Sequence, residues 1–160
     1  MAKNELLEQI RAARAELLAA LNGLPDDALL RPFAVGTWSI KDTLAHLTAW
    51  QSELITALAK LHPSRAPHII DIEDMDEWND EQYHASVRRA LASVVEDFHG
   101  VHKQLLKVIE GLDDKTLDDG RRFQWMEGEP LSYLIADNSA LHEQEHAGDI
   151  RKWREANKLS

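Results

Sequence analysis

Two histidines one helical turn apart, His142 and His146 in LHEQEHAGDIRKW, are the side chains best able to do chemistry in this sequence. A third, His46, lies far upstream in WSIKDTLAHLTAW. Residues four apart share one face of a helix, so the pair presents two imidazoles together, and a second helix can add the third. Three imidazoles plus an open position suit zinc, nickel, copper or iron. Such a site can acidify a bound water or activate a thiol.

Carboxylates stand at helical spacing from these histidines. On the downstream helix, positions 138, 142, 146, 149 and 153 share a face and read Asn138, His142, His146, Asp149 and Trp153. On the upstream helix the corresponding face carries Asp42, His46, Trp50 and Glu53. Asp149, Asp42 and Glu53 are therefore the candidates to orient an imidazole or to act as a base, and Trp50 and Trp153 are candidates to line a pocket. The remaining tryptophans, Trp38, Trp78 and Trp125, are expected in the core. Glu143 and Glu145 are expected to face solvent or neighbouring side chains. His62, His68, His84, His99 and His102 are scattered and expected in loops or on the surface.

His142, Glu143 and His146 satisfy the bare pattern H-E-x-x-H of zinc proteases. That chemistry also needs a further ligand downstream and a substrate-binding strand. No histidine follows His146 and no strand pattern is evident. Neither a nucleophile elbow nor a phosphate-cradling glycine loop occurs.

The elements that must position these residues are helical. Apolar positions recur with a helical period in four long segments, and nothing of length alternates with a period of two. The first helix is expected over about Lys3 to Leu21, with Leu6, Ile10, Ala13, Leu17 and Leu21 as its stripe and Asn22-Gly23 as its stop. The second should begin at Ser39, where Ser39 and Asp42 make a capping box, and run to about Leu61. A long connection, Pro63 to Trp78, follows. The third helix is expected from Asn79 or Asp80 to Glu110, with Gly100 as a weak point. After a second connection, Leu112 to Glu129, Pro130 opens a fourth helix running to about Ala156. These elements imply an all-α four-helix bundle with a long crossover, in one domain spanning residues 1–160.

Composition narrows the function classes. The chain has 160 residues and no cysteine, which removes disulfides, thiolate metal sites and a cysteine nucleophile. Its formal net charge of −10 argues against a nucleic-acid partner, which needs a basic face. No apolar run approaches the roughly 20 residues that cross a bilayer. The charged N-terminal stretch reads as an amphipathic helix and not a signal peptide. The expected setting is thus the cytoplasm, with a small-molecule substrate, no nucleic acid and no membrane. Pairing into a homodimer through an exposed helix face is compatible with a bundle.

GTWSIKDTLAHLTAWQSEL, followed by DNSALHEQEHAGDIRKW, resembles the DinB-like superfamily of four-helix bundles, and within it the ClbS/DfsB family. The resemblance covers nearly the whole chain. It rests on Trp38-Ser39-x-Lys41-Asp42-x-x-x-His46-Leu47, on Glu77-Trp78-Asn79, and on Asn138, His142, His146, Ile150 and Trp153. It implies an up-down-down-up bundle with the crossover between helices two and three. It also implies that His46, His142 and His146 match the superfamily's metal site, with zinc or nickel as the metal. Some branches of the superfamily use low-molecular-weight thiols, and the ClbS/DfsB branch is named for protection by hydrolysis of an electrophilic natural product.

The expectation is therefore an enzyme adding water or a thiol to a small electrophile at a three-histidine metal site. Two alternatives stand beside it. One is a metal-independent resistance hydrolase using Tyr83, Asn79 and Glu53 around an apolar cleft. The other is a non-enzymatic bundle that binds or sequesters a small molecule.

Overall fold

A computed structural model describes residues 1–159. The described residues are mainly helical and form no β-sheet; Val35 and Trp38 make an isolated antiparallel bridge. Helix α1 spans Lys3–Leu21 and buries Leu6, Ile10, Ala13 and Leu17 along its predicted stripe. It stops where Gly23 turns into the left-handed region at φ 81°, a conformation that costs glycine little. After the short α2 (Asp26–Leu29), α3 runs over Ile40–Ala59. Its start is the predicted capping box: Ser39 Oγ accepts from the Asp42 N–H at 3.1 Å, and the Asp42 carboxylate accepts from the Ser39 N–H at 3.0 Å.

The third predicted helix is two helices. A one-turn α4 (His68–Asp71) precedes α5 (Met75–Ser86), and a turn then leads to α6 (Leu91–Glu110). The early start of α5 comes from Asp74, whose side chain accepts from the Glu77 N–H at 3.0 Å. The break follows from a distant residue. The Lys41 ammonium, largely buried, donates to the carbonyls of Val87 and Arg89, both at 2.8 Å. Gly100 stays inside α6 on an exposed face, where it costs about 1 kcal/mol against alanine without ending the helix.

The fourth predicted helix is also divided. After α7 (Asp114–Asp118) come α8 (Leu131–Asp137) and α9 (Ala140–Ala156). Asn138 Nδ2 donates to the Leu134 carbonyl and Ser139 Oγ to the Ile135 carbonyl. These side chains compete for the helical ladder, and Ser139 leaves helical geometry at φ −136°, ψ −91°.

The long helices α1, α3, α6 and α9 form the bundle. α1 packs mainly on α9 and α3 mainly on α6, while α3 and α9 meet over a narrow strip. Two apolar clusters fill the interior. One joins Leu6 and Ile10 of α1 to Leu54 and Leu58 of α3, Leu105 and Ile109 of α6, and Ile135 and Ala140. The other joins Leu17 and Ala20 to Ile40, Leu44 and Leu47, Val94 and Phe98, and Ala147 and Ile150. The early part of α1 and α9 thus meets the late part of α3 and α6, so the first pair runs one way and the second pair the other. No helix among the described residues is long and apolar enough to cross a membrane.

Candidate metal centre

His46 on α3 and His142 and His146 on α9 converge where those two helices meet. Their Nε2 atoms face one another: His46 to His142 is 2.9 Å, and His142 to His146 is 3.2 Å. One nitrogen from each ring falls within 4.8 Å of the others. The rings are set nearly edge to face, with His46 at 81° to His142 and 89° to His146. Trp38, held by its bridge to Val35, packs on the His46 ring at 4.8 Å between centroids, and Tyr83 of α5 stacks on Trp38 at 6.3 Å. These two rings wall the cluster on the α3 side.

The cluster disfavours protons. Burial, and then the neighbouring His142 and His146, push His46 down from 6.5 to about 3. Burial, and then His146, bring His142 down to about 4. His46 and His142 are therefore neutral bases at neutral pH, and no carboxylate is bonded to the Nε2 atoms of the cluster. A cation about 2.0–2.1 Å from each nitrogen in tetrahedral array would separate those nitrogens by roughly 3.3 Å. The two short separations lie close to that value, so the residues fit a divalent metal.

Asp149 is the one predicted carboxylate beside the cluster. Its Oδ2 is 3.3 Å from His146 Nδ1, though not in hydrogen-bond geometry, and Nδ1 has no other partner. It also lines a shallow cavity with Val35, Gly36, Lys152 and Trp153. Asp42 is engaged in the helix cap. Glu53 lies two turns beyond His46 on α3, about 10 Å along the axis, and its carboxylate pairs with His68 Nδ1 at 2.7 Å. It lines a different groove of about 430 Å³ between α3, α5 and α6, with Thr48, Ser52, Trp78, Gln82 and Asp97. Asn138 is separated from His142 by the break before α9. Asn79 accepts from Trp50 Nε1 at 2.9 Å and so ties α5 to α3. Trp50 is buried against Trp78, and Trp153 is buried as well.

Glu143 corrects the sequence expectation. It is 1 % exposed and pairs with Arg14, itself 5 % exposed. Its Oε1 accepts from Arg14 Nη2 at 2.5 Å and from Gln51 Nε2 at 2.8 Å. Arg14 Nη1 donates to the Phe98 carbonyl at 3.2 Å, and the guanidinium lies 3.6 Å over the Phe98 ring. The available signal was a charged residue, Arg14, flanking the apolar stripe of α1 alongside Leu7 and Leu18. His102, expected on the surface, has a buried Nδ1 with no partner, and burial followed by Arg14 lowers it to about 4.

Comparison with known proteins places the fold. The DinB superfamily matches residues 9–150; the chain belongs to that superfamily. Among proteins of curated function, none matches the sequence. The solved structures that share the fold include the following three. An uncharacterised protein from Escherichia coli UTI89 is 21% identical with a TM-score of 0.77, over 99% of this chain and 96% of its own. DfsB, described as a Sibling Lethal Factor Precursor, is 21% identical with a TM-score of 0.75, over 100% and 99%. The colibactin self-resistance protein ClbS, in complex with a dsDNA, is 14% identical with a TM-score of 0.75, over 96% and 95%.

The ClbS complex overturns the expectation that excluded nucleic acid. Net charge is a sum over the whole surface, whereas DNA is engaged by a local arrangement of cations and donors. A total of −10 therefore does not exclude DNA as a partner on this fold.

Proposed function

We propose that this chain binds a divalent metal through His46, His142 and His146, with zinc or nickel the best match, and uses it to add water or a thiol to a small electrophile. The observation that carries the reading is the convergence of three imidazole Nε2 atoms, two of the separations being 2.9 and 3.2 Å, with no acid among them. With their protons on Nδ1, three lone pairs face one another, an arrangement that a cation relieves. Bound there, a divalent ion supplies Lewis acidity and lowers the pKa of a coordinated nucleophile. Asp149 orients the His146 ring from the Nδ1 side, and Trp38 keeps water off one face of His46. The test is the metal content of protein purified without a histidine tag, before and after incubation with Zn(II) or Ni(II). Uptake of about one equivalent is expected, and a value below about a tenth after incubation removes the reading.

The groove lined by Glu53 and Trp78 favours a second reading. It is a cavity away from the histidines, in a fold shared with a self-resistance protein. A metal-independent hydrolase would work there with Glu53 as its base; Asn79, bonded to Trp50, and Tyr83, stacked on Trp38, lie outside the groove's lining. Activity that survives a chelator and the His142→Ala change, but not Glu53→Gln, would select it. The dsDNA complex of ClbS makes duplex DNA a partner to test for this chain, by fluorescence anisotropy at low and high salt.

A further inference from the structure

We infer that the buried Arg14–Glu143–Gln51 network is the positioning element of the histidine cluster, an inference that rests on the metal-binding reading. Four helices each contribute one group at one level of the bundle: Arg14 from α1, Gln51 from α3, the Phe98 carbonyl from α6 and Glu143 from α9. The network lies between the two apolar clusters, with Ala13, Leu54 and Ala140 on one side and Leu17, Leu47 and Ala147 on the other. Glu143 adjoins His142 in the chain, and Gln51 follows His46 by five residues on α3.

This placement matters because α3 and α9 share little direct packing. Apolar side chains slide by fractions of an ångström at small cost, and the histidine nitrogens must meet within about 0.5 Å of a productive geometry. A forked guanidinium held by a carboxylate and a carbonyl admits one register only. Glu143 bridges α1 to α3 through one oxygen, so the register of α9 against α1 is passed to α3, where His46 sits. Buried ion pairs add little net stability compared with apolar residues of similar volume, and the network is kept here for the geometry it imposes.

The test separates position from stability. In the triple variant Arg14→Met, Gln51→Leu, Glu143→Leu, the polar groups are replaced by apolar side chains. Its midpoint of chemical denaturation is expected to equal or exceed that of the parent protein. Its Zn(II) affinity, measured by competition with a chromophoric chelator, should fall on the order of 10–100-fold, and the visible absorption of its Co(II) form should change. A folded triple variant with parental affinity and spectrum overturns the inference. Should the triple variant fail to fold, Arg14→Lys carries the test: it keeps the charge and loses the fork, so a smaller loss of affinity is expected, and parental affinity again overturns the inference. A parent protein that takes up no metal overturns the metal reading and the inference together. A parent that binds alongside variants that bind equally removes only the inference.

Discussion

A buried network and a part-buried cluster of polar side chains sit near the same level of this bundle, and they are built oppositely. In the Arg14–Glu143–Gln51 network a cation meets an anion, and Glu143 Oε1 alone takes donors from two side chains. In the histidine cluster three bases face one another, and the nearest carboxylate, Asp149, lies on the outer nitrogen of His146. The first arrangement is electrostatically closed. The second is open, with no charged group bonded to its Nε2 atoms. Polar groups inside the bundle therefore differ in meaning: the matched network fixes helices, and the unmatched one offers three nitrogens that could hold a divalent cation.

The largest effect should come from opening the closed network. Glu143→Ala leaves the Arg14 guanidinium buried without its anion, and a loss of about 3–5 kcal/mol is expected in urea denaturation. A loss under about 1 kcal/mol would mean that Arg14 finds water, and the contrast between the two regions would fail.

The open cluster should respond the other way. His142→Leu removes a base that no acid satisfies, so the stability of the metal-free protein is expected to stay within about 1.5 kcal/mol of the parent. Zn(II) affinity should fall more than about 100-fold, read by chelator competition. A large stability loss with unchanged metal uptake would make the histidines structural.

Acid should act on the open cluster. The folded protein resists protonating His46 and His142 until about 3 and 4, while the same groups in the unfolded chain bind protons below 6.5. The unfolded state therefore holds more protons in that window, and stability falls as pH drops from 6.5 towards 3. His102, lowered to about 4, contributes in the same direction. Denaturation midpoints measured across this range should flatten in His46→Gln, and an unchanged slope would contradict the burial of a neutral ring.

The smallest effect is expected at the edge of the cluster. Asp149→Asn keeps the shape beside His146 Nδ1 and removes the charge, so metal affinity should fall about 10-fold with little change in stability. No change would confine Asp149 to the neighbouring cavity.

Much of this was legible in the chain. The Ser39–Asp42 box and the Gly23 stop are local devices, and each sits where its residues predict. The three histidines were identifiable from spacing and from the resemblance of their flanking segments to a known superfamily. The division of the third helix was not legible, because apolar periodicity continues through Val87–Ala90 and the groups that hold the turn belong to Lys41, more than forty residues away. Asp42 and Glu53 share a helical face with His46, yet a cap and His68 take their carboxylates. The sequence leaves Glu143 facing either solvent or neighbouring side chains, and the burial was not legible because its partner, Arg14, lies 129 residues earlier.

The sequence by itself determined the helical class, the local starts and stops of α1 and α3, and the supply of three imidazoles without a thiol. These depend on residue type and on contacts within a turn or two. Only the tertiary structure decided which carboxylates reach the histidines, which charge is buried, and that one nitrogen from each of three rings falls within 4.8 Å of the others. Those outcomes are set by the packing of helices far apart in the chain, and a helical period states which face a residue occupies but not what another helix brings against it.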